Sequence, residues 1–124
     1  MATGRRKSYP ETPDGRYFVA RGRLWRKTDP RIDDSTRRAA VKALMQARRG
    51  VGQAGGDPDA TRSARAAVDA AKHDLGERGP VWWDDGAPDE GGRAPWNSSY
   101  RDWWESLSPE MQQVGTAPKG GAAR

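Results

Sequence analysis

Asp57-Pro58-Asp59-Ala60-Thr61-Arg62-Ser63-Ala64-Arg65-Ala66-Ala67-Val68-Asp69-Ala70-Ala71-Lys72-His73-Asp74-Leu75-Gly76 reads as a helix at both of its ends and along one side. Asp57 has a short side chain that accepts from free backbone amides, and Pro58 takes the first helical position, where its missing N–H costs nothing. Ala60, Ala64, Ala67, Val68, Ala71 and Leu75 keep helical spacing up to Gly76, a natural left-handed stop. The face they form is small. A second helix axis can therefore approach it closely.

That second helix lies just upstream. Asp33-Asp34-Ser35 supplies capping side chains and negative charge for the positive end of the dipole, and the helix is expected to run to about Arg49. Val41, Leu44, Met45 and Val51 fall at i, i+3, i+4 and i+10, which predicts the buried face, while Arg37, Arg38, Lys42, Arg48 and Arg49 cover much of the rest. Gly50, Gly52, Gly55 and Gly56 then break the helix. The expected unit is an antiparallel αα-hairpin.

Further upstream, residues 16–27 are rich in aromatic and branched side chains around one glycine. They predict a short β-hairpin turning at Arg21-Gly22, with a single strand bulged at Gly22 as the alternative. Thr28-Asp29-Pro30 ends this unit, because proline holds the residue before it extended. Residues 1–13 are polar and basic and are expected to form a disordered arm.

Downstream, residues 79–96 form a loop rich in proline and glycine that holds Trp82, Trp83 and Trp96. Loops this long are uncommon in compact domains unless they are functional or disordered, and three tryptophans argue against disorder. Ser98 or Ser99 can cap a short helix with Tyr100, Trp103, Trp104 and Leu107 on one face. Residues 109–124 are expected to be a disordered tail. The expected fold class is α+β: a small single domain over residues 14–108 in which an αα-hairpin carries a short β-hairpin, the aromatic loop and a short C-terminal helix.

Composition excludes several functions. The chain has 124 residues and no cysteine, so a disulfide framework, a zinc–thiolate site and a thiol nucleophile are impossible. Neither a Walker loop nor a dinucleotide fingerprint is present. Met1-Ala2-Thr3-Gly4-Arg5-Arg6-Lys7 is followed by Ser8-Tyr9-Pro10-Glu11 and not by an apolar run, and no segment approaches a membrane span, so the expectation is cytoplasmic with no membrane contact. Charge is uneven. Residues 1–56 hold 14 Lys/Arg against five Asp/Glu, a net +9, and residues 57–124 hold eight against 12, a net −4, which together give the +5 of the whole chain.

Asp14-Gly15-Arg16-Tyr17-Phe18-Val19 with Arg21-Gly22-Arg23-Leu24-Trp25-Arg26, then Gly76-Glu77-Arg78-Gly79-Pro80-Val81-Trp82-Trp83 and Asp85-Gly86-Ala87-Pro88-Asp89, resemble blocks of a family of small bacterial proteins often labelled "biopolymer transporter Tol". The resemblance covers roughly residues 14–107, with Ser99 standing where the family commonly has proline. It implies a shared fold. It implies no catalytic residue, and no transport role is carried over.

Three chemistries compete for the residues that remain. In an extended segment Trp82 and Trp83 point to opposite sides, so one ring can enter the core while the other joins Asp84, Asp85, Asp89, Arg93 and Trp96 in a surface for a protein partner. Arg16, Arg21, Arg23, Arg26, Arg38 and Lys42, with Tyr17, Phe18 and Trp25 between them, would suit nucleic acid. Asp84, Asp85, Asp89 and Glu90 could give oxygen ligands to a metal but also form ordinary turns. His73, the only histidine, has Asp69 and Glu77 one turn away on either side and reads as a surface residue. The leading expectation is a non-catalytic intracellular binding or adaptor module with no cofactor and no metal; nucleic-acid association comes second, and an enzyme or metal protein using the Asp-rich loop third.

Overall fold

Arg21 and Gly22 both take positive φ, 55° and 76°, and reverse the chain between β1 (Tyr17–Ala20) and β2 (Arg23–Arg26) in the computed structural model, which describes residues 8–118. Two central residues of this kind match the right-handed strand twist, so the turn anticipated at Arg21-Gly22 is the one adopted. Tyr17 pairs with Arg26, Phe18 with Trp25 and Val19 with Leu24 in an antiparallel register. Alternation then puts Tyr17, Val19, Leu24 and Arg26, all buried, on one face and Phe18 with Trp25 on the other.

The fold is α+β, and in addition to the hairpin the described residues form four α-helices: α1 (Asp34–Gln53), α2 (Pro58–Asp74), α3 (Arg101–Glu105) and α4 (Pro109–Thr116). Within it the chain gathers into two compact units. One consists of residues up to Lys27 together with those from Pro88 onward, and the other of Thr28–Ala87.

In the first unit both strand edges are occupied. The Val19 N–H donates to the Pro10 carbonyl (2.9 Å) and the Thr12 N–H to the Tyr17 carbonyl (2.9 Å), while on the far side Leu24 exchanges bonds with Arg93 and Gly92 (2.8 Å each). A two-stranded ribbon alone would expose rows of unmet N–H and C=O groups, and these flanking segments meet them. Trp104 of α3 and Pro95 are buried, and α4 packs on β1. Gly115 makes that approach possible: a Cβ there would sit 3.0 Å from Trp104 Cη2 and 3.1 Å from Val19 Cγ1.

The ordered ends therefore reach further than composition suggested. Residues 10–12 pair with β1 although they were expected in the arm. Pro109–Thr116 is helical, with Ser108 accepting from the Met111 N–H at 3.2 Å, although it was expected in the tail. Ser108-Pro109 is the same cap-then-proline signal as Asp57-Pro58, outweighed in the sequence reading by the polar residues around it. Residues 1–7 and 119–124 of the expected arm and tail lie outside the described residues.

The second unit is the αα-hairpin. Asp33 accepts from the Thr36 N–H and Asp57 from the Asp59 N–H, so both anticipated caps form. Leu75 closes α2, and Gly76 at φ 77° lets the Glu77 N–H reach back to the Lys72 carbonyl. α1 does not stop at Gly50. It continues to Gln53, because Gly50 faces α2, where a Cβ would lie 3.3 Å from that of Ala64. Its buried face is also not the one spacing predicted: Ala40, Leu44 and Ala47 are buried, whereas Val41 and Met45 are 39% and 47% exposed. Two alanine faces bring the axes closer than larger side chains allow, and α1 is turned so that Ala40 and Leu44 cluster with Ala71 and Leu75.

Candidate functional site

Asp89 gathers the polar groups of the first unit. It was expected in the partner-binding surface of the aromatic loop, and its carboxylate accepts from Arg26 Nη2 (2.9 Å), the Tyr17 hydroxyl (3.3 Å) and the Gly91 N–H (2.9 Å). The Tyr17 hydroxyl in turn accepts from the Glu90 N–H at 2.7 Å. Nearby, Asp14 accepts from Tyr100 (2.7 Å) and Thr12 (2.7 Å), and the Tyr17 and Tyr100 rings meet edge to face at 5.5 Å. Glu90 accepts from the N–H and hydroxyl of Ser99.

These contacts set the acidities. Burial pushes the Asp89 carboxyl up, but the Gly91 N–H, Arg26 and Tyr17 outweigh it and hold the group below the usual carboxylate range. Asp14 behaves alike: burial raises it, and Tyr100, Thr12 and the Arg16 N–H and charge bring it lower. Tyr17 is pushed up to about 12, chiefly by burial and then by the Asp89 charge, against the opposing Glu90 N–H bond. Burial and the bond to Asp14 raise Tyr100 as well. At neutral pH the network is two carboxylates held by neutral phenols and a buried guanidinium. It ties loop to hairpin.

The residues expected to share one aromatic-loop site divide between the units. Trp82, Trp83, Asp84 and Asp85 belong to the second, and Asp89, Arg93 and Trp96 to the first. Trp83 is buried with its indole N–H on the Ala87 carbonyl at 2.8 Å; Trp82 is half-buried, edge-on to Trp83 with centroids 5.1 Å apart. Trp96 is 40% exposed, against the Gly22 turn and 5.9 Å from the Trp104 ring. Asp85 caps its own turn through the Ala87 N–H, and among the described residues no three of His, Asp and Glu converge to hold a metal.

His73 is oriented from both sides. Its Nδ1 lies 2.8 Å from the Asp69 carbonyl, and the ring sits against Gly79, where a Cβ would be 2.8 Å from Cδ2. Asp69 is held low by its bond to Arg78 at 2.8 Å.

The basic residues separate too. Arg26 is removed from any surface role, its side chain 5% exposed against Asp89. Arg16 lies beside Asp14, Arg21 stacks over Trp25 at 4.5 Å, and Arg23 donates to the Gly92 carbonyl at 2.9 Å. Tyr9 stacks on Phe18, the cross-strand partner of Trp25, so the outer hairpin face is a row of rings edged by guanidinium groups.

α1 carries a strongly unbalanced surface, and sequence reasoning missed its centre. Val41 and Met45, one turn apart, stand among Arg38, Lys42, Arg48 and Arg49, which are exposed and form no ion pair among the described residues. Arg37 is neutralised by Asp34 at 2.6 Å. On α2 the charges are of mixed sign, and Arg62 pairs with Asp59. The usable signal was the alanine stripe of α2, which asks for an alanine stripe opposite and so assigns Ala40 and Ala47, not Val41 and Met45, to the interface.

No protein-family model, curated protein or solved structure matches the chain. Among the described residues no helix is long and apolar enough to cross a membrane.

Proposed function

We propose that the protein is a non-catalytic binding module of the cytoplasm and that its partner is acidic. The observation that carries this reading is the exposed face of α1, with Val41 and Met45 set among Arg38, Lys42, Arg48 and Arg49, which form no ion pair among the described residues. Unpaired cations keep their full attraction for an anionic partner, and exposed apolar side chains among them add area to bury on contact. The polar groups around Asp89 and Asp14 are engaged in hydrogen bonds within the first unit. The proposed kinship with the small bacterial family contributes a shared fold and no activity. The test is retention on immobilised poly-glutamate over a salt series. Wild type is expected to bind and to release as salt rises, and R38E/K42E/R49E to lose retention without losing helicity. Retention unchanged by the triple substitution overturns the reading.

The hairpin's outer face supports a second reading, association with single-stranded nucleic acid. Tyr9 stacks on Phe18, Trp25 is the cross-strand partner of Phe18, and Arg21 lies over the Trp25 ring, which are the parts of a base-stacking platform. Binding of a dT oligonucleotide that falls with Trp25→Ala and leaves the α1 variant unaffected would favour it.

A further inference from the structure

We infer that the α1 face docks an acidic amphipathic helix of another protein; this rests on the acidic-partner reading and names its occupant. Arg38, Val41, Lys42, Met45 and Arg49 fall at i, i+3, i+4, i+7 and i+11 and so share one side of the helix over about 16 Å. That is the length of three turns of a partner. The apolar pair sits at the middle and the cations at the ends and flanks, the reverse of a partner with two apolar residues one turn apart and Asp or Glu around them.

Other anions fit this pattern less well. A phosphate backbone has no use for Val41 and Met45, since phosphate contacts are made by cations and hydrogen-bond donors. An anionic membrane requires a broad apolar face to insert, and the rest of the apolar side of α1, Ala40, Leu44 and Ala47, is already buried. A second copy would have to offer an acidic helix, and the acids of α2 are met by cations, Asp59 by Arg62 within the helix and Asp69 by Arg78 from the segment that follows it. Methionine at the centre adapts to the shape of a bound helix.

The experiment is a selection of random 16-residue helical peptides displayed on phage against the full chain, with R38E/K42E/R49E used to remove other binders. The expected winners carry two or three apolar residues at i, i+3 or i+4 and i+7 flanked by Asp and Glu. The best peptide should gain helicity on binding, shift the Met45 methyl resonance, and lose at least tenfold in affinity against Met45→Ser and against Lys42→Glu, both surface changes that leave the melting temperature in place. Poly-glutamate, a dT oligonucleotide, phosphatidylserine vesicles and the sedimentation of the chain alone are measured beside it. Poly-glutamate or a scrambled peptide binding as tightly overturns the helix while the acidic-partner reading stands. Tighter binding of the oligonucleotide or the vesicles, or self-association lost in Met45→Ser, also overturns it. If neither a peptide nor poly-glutamate binds at low salt, both readings fall.

Discussion

Trp82 and Trp83 are adjacent and chemically identical, yet the structure gives them different weights. Trp83 is 8% exposed and donates its indole N–H to the Ala87 carbonyl, whereas Trp82 is half-buried along the Trp83 edge and against Gly76. Removing nearly all of a buried indole forfeits about 200 Å² of apolar burial, or about 5 kcal/mol at about 25 cal/mol per Å². A compact denatured state trims this to about 3–4 kcal/mol, close to the usual cost of truncating a core tryptophan. Trp82→Ala loses roughly half that area, so about 1–2 kcal/mol. Urea unfolding of each alanine variant, followed by circular dichroism at 222 nm, should therefore separate their midpoints by about 1–2 M. Equal midpoints would show that the two rings carry one load between them, and the assignment of Trp83 as the structural ring would be refuted.

Ending the chain after Ser108 uncovers Val19 and Trp104 and should lower the melting temperature by at least about 4 °C, the equivalent of about 1 kcal/mol; an unchanged melt would mean that α4 contributes nothing. Gly76→Ala places a Cβ 2.8 Å from that of Asp29 at φ 77° and should cost more than the about 1–2 kcal/mol of the backbone strain alone, measured by the same urea titration. Asp14 and Asp89 have folded pKa values below their unfolded ones, so the stability they add is present above about pH 4 and disappears as pH falls through the folded values; Asp89→Asn should flatten the acid limb of a stability–pH curve. Tyr17, raised to about 12, has the opposite sign: its contribution is complete below pH 10 and is lost as pH climbs toward 12, so thermal melts should fall across that window and Tyr17→Phe should shrink the step, leaving the part owed to Tyr100.

Local signals in the sequence were dependable where one residue type answers one backbone demand. Arg21-Gly22, Asp33, Asp57-Pro58 and Gly76 each marked a turn, cap or stop that formed as expected. Orientation was less legible. Ranking Val41 and Met45 above Ala40 and Ala47 as core residues assumes that larger apolar side chains go inside, and at a close helix pair small residues win because they allow the approach. Gly50 was misleading for the same reason, since it permits a contact and does not break the helix. Of the candidate site, the grouping of residues 82–96 followed their adjacency in the chain, whereas partition into units depends on pairings such as Leu24 with Arg93 that sequence spacing does not encode. Arg26 looked like one more surface cation because its partner, Asp89, lies 63 residues away.

The pairing of Leu24 with Gly92 and Arg93 also has a bearing on how the chain reaches its fold. The hairpin's outer edge waits for residues that leave the ribosome only after the whole of Thr28–Ala87, so the first unit is interrupted and the second is continuous. Closing a loop of that length costs about 3–4 kcal/mol of chain entropy if the intervening residues are unstructured. The αα-hairpin is built from contacts close in sequence, which favour rapid formation, and its Asp29 N–H meets the Leu75 carbonyl at 2.9 Å, drawing the two ends of most of the insert together. Early folding of the insert thus shortens the gap that strand and strap must cross. Vectorial synthesis favours an order in which the helices come first and the sheet is sealed last.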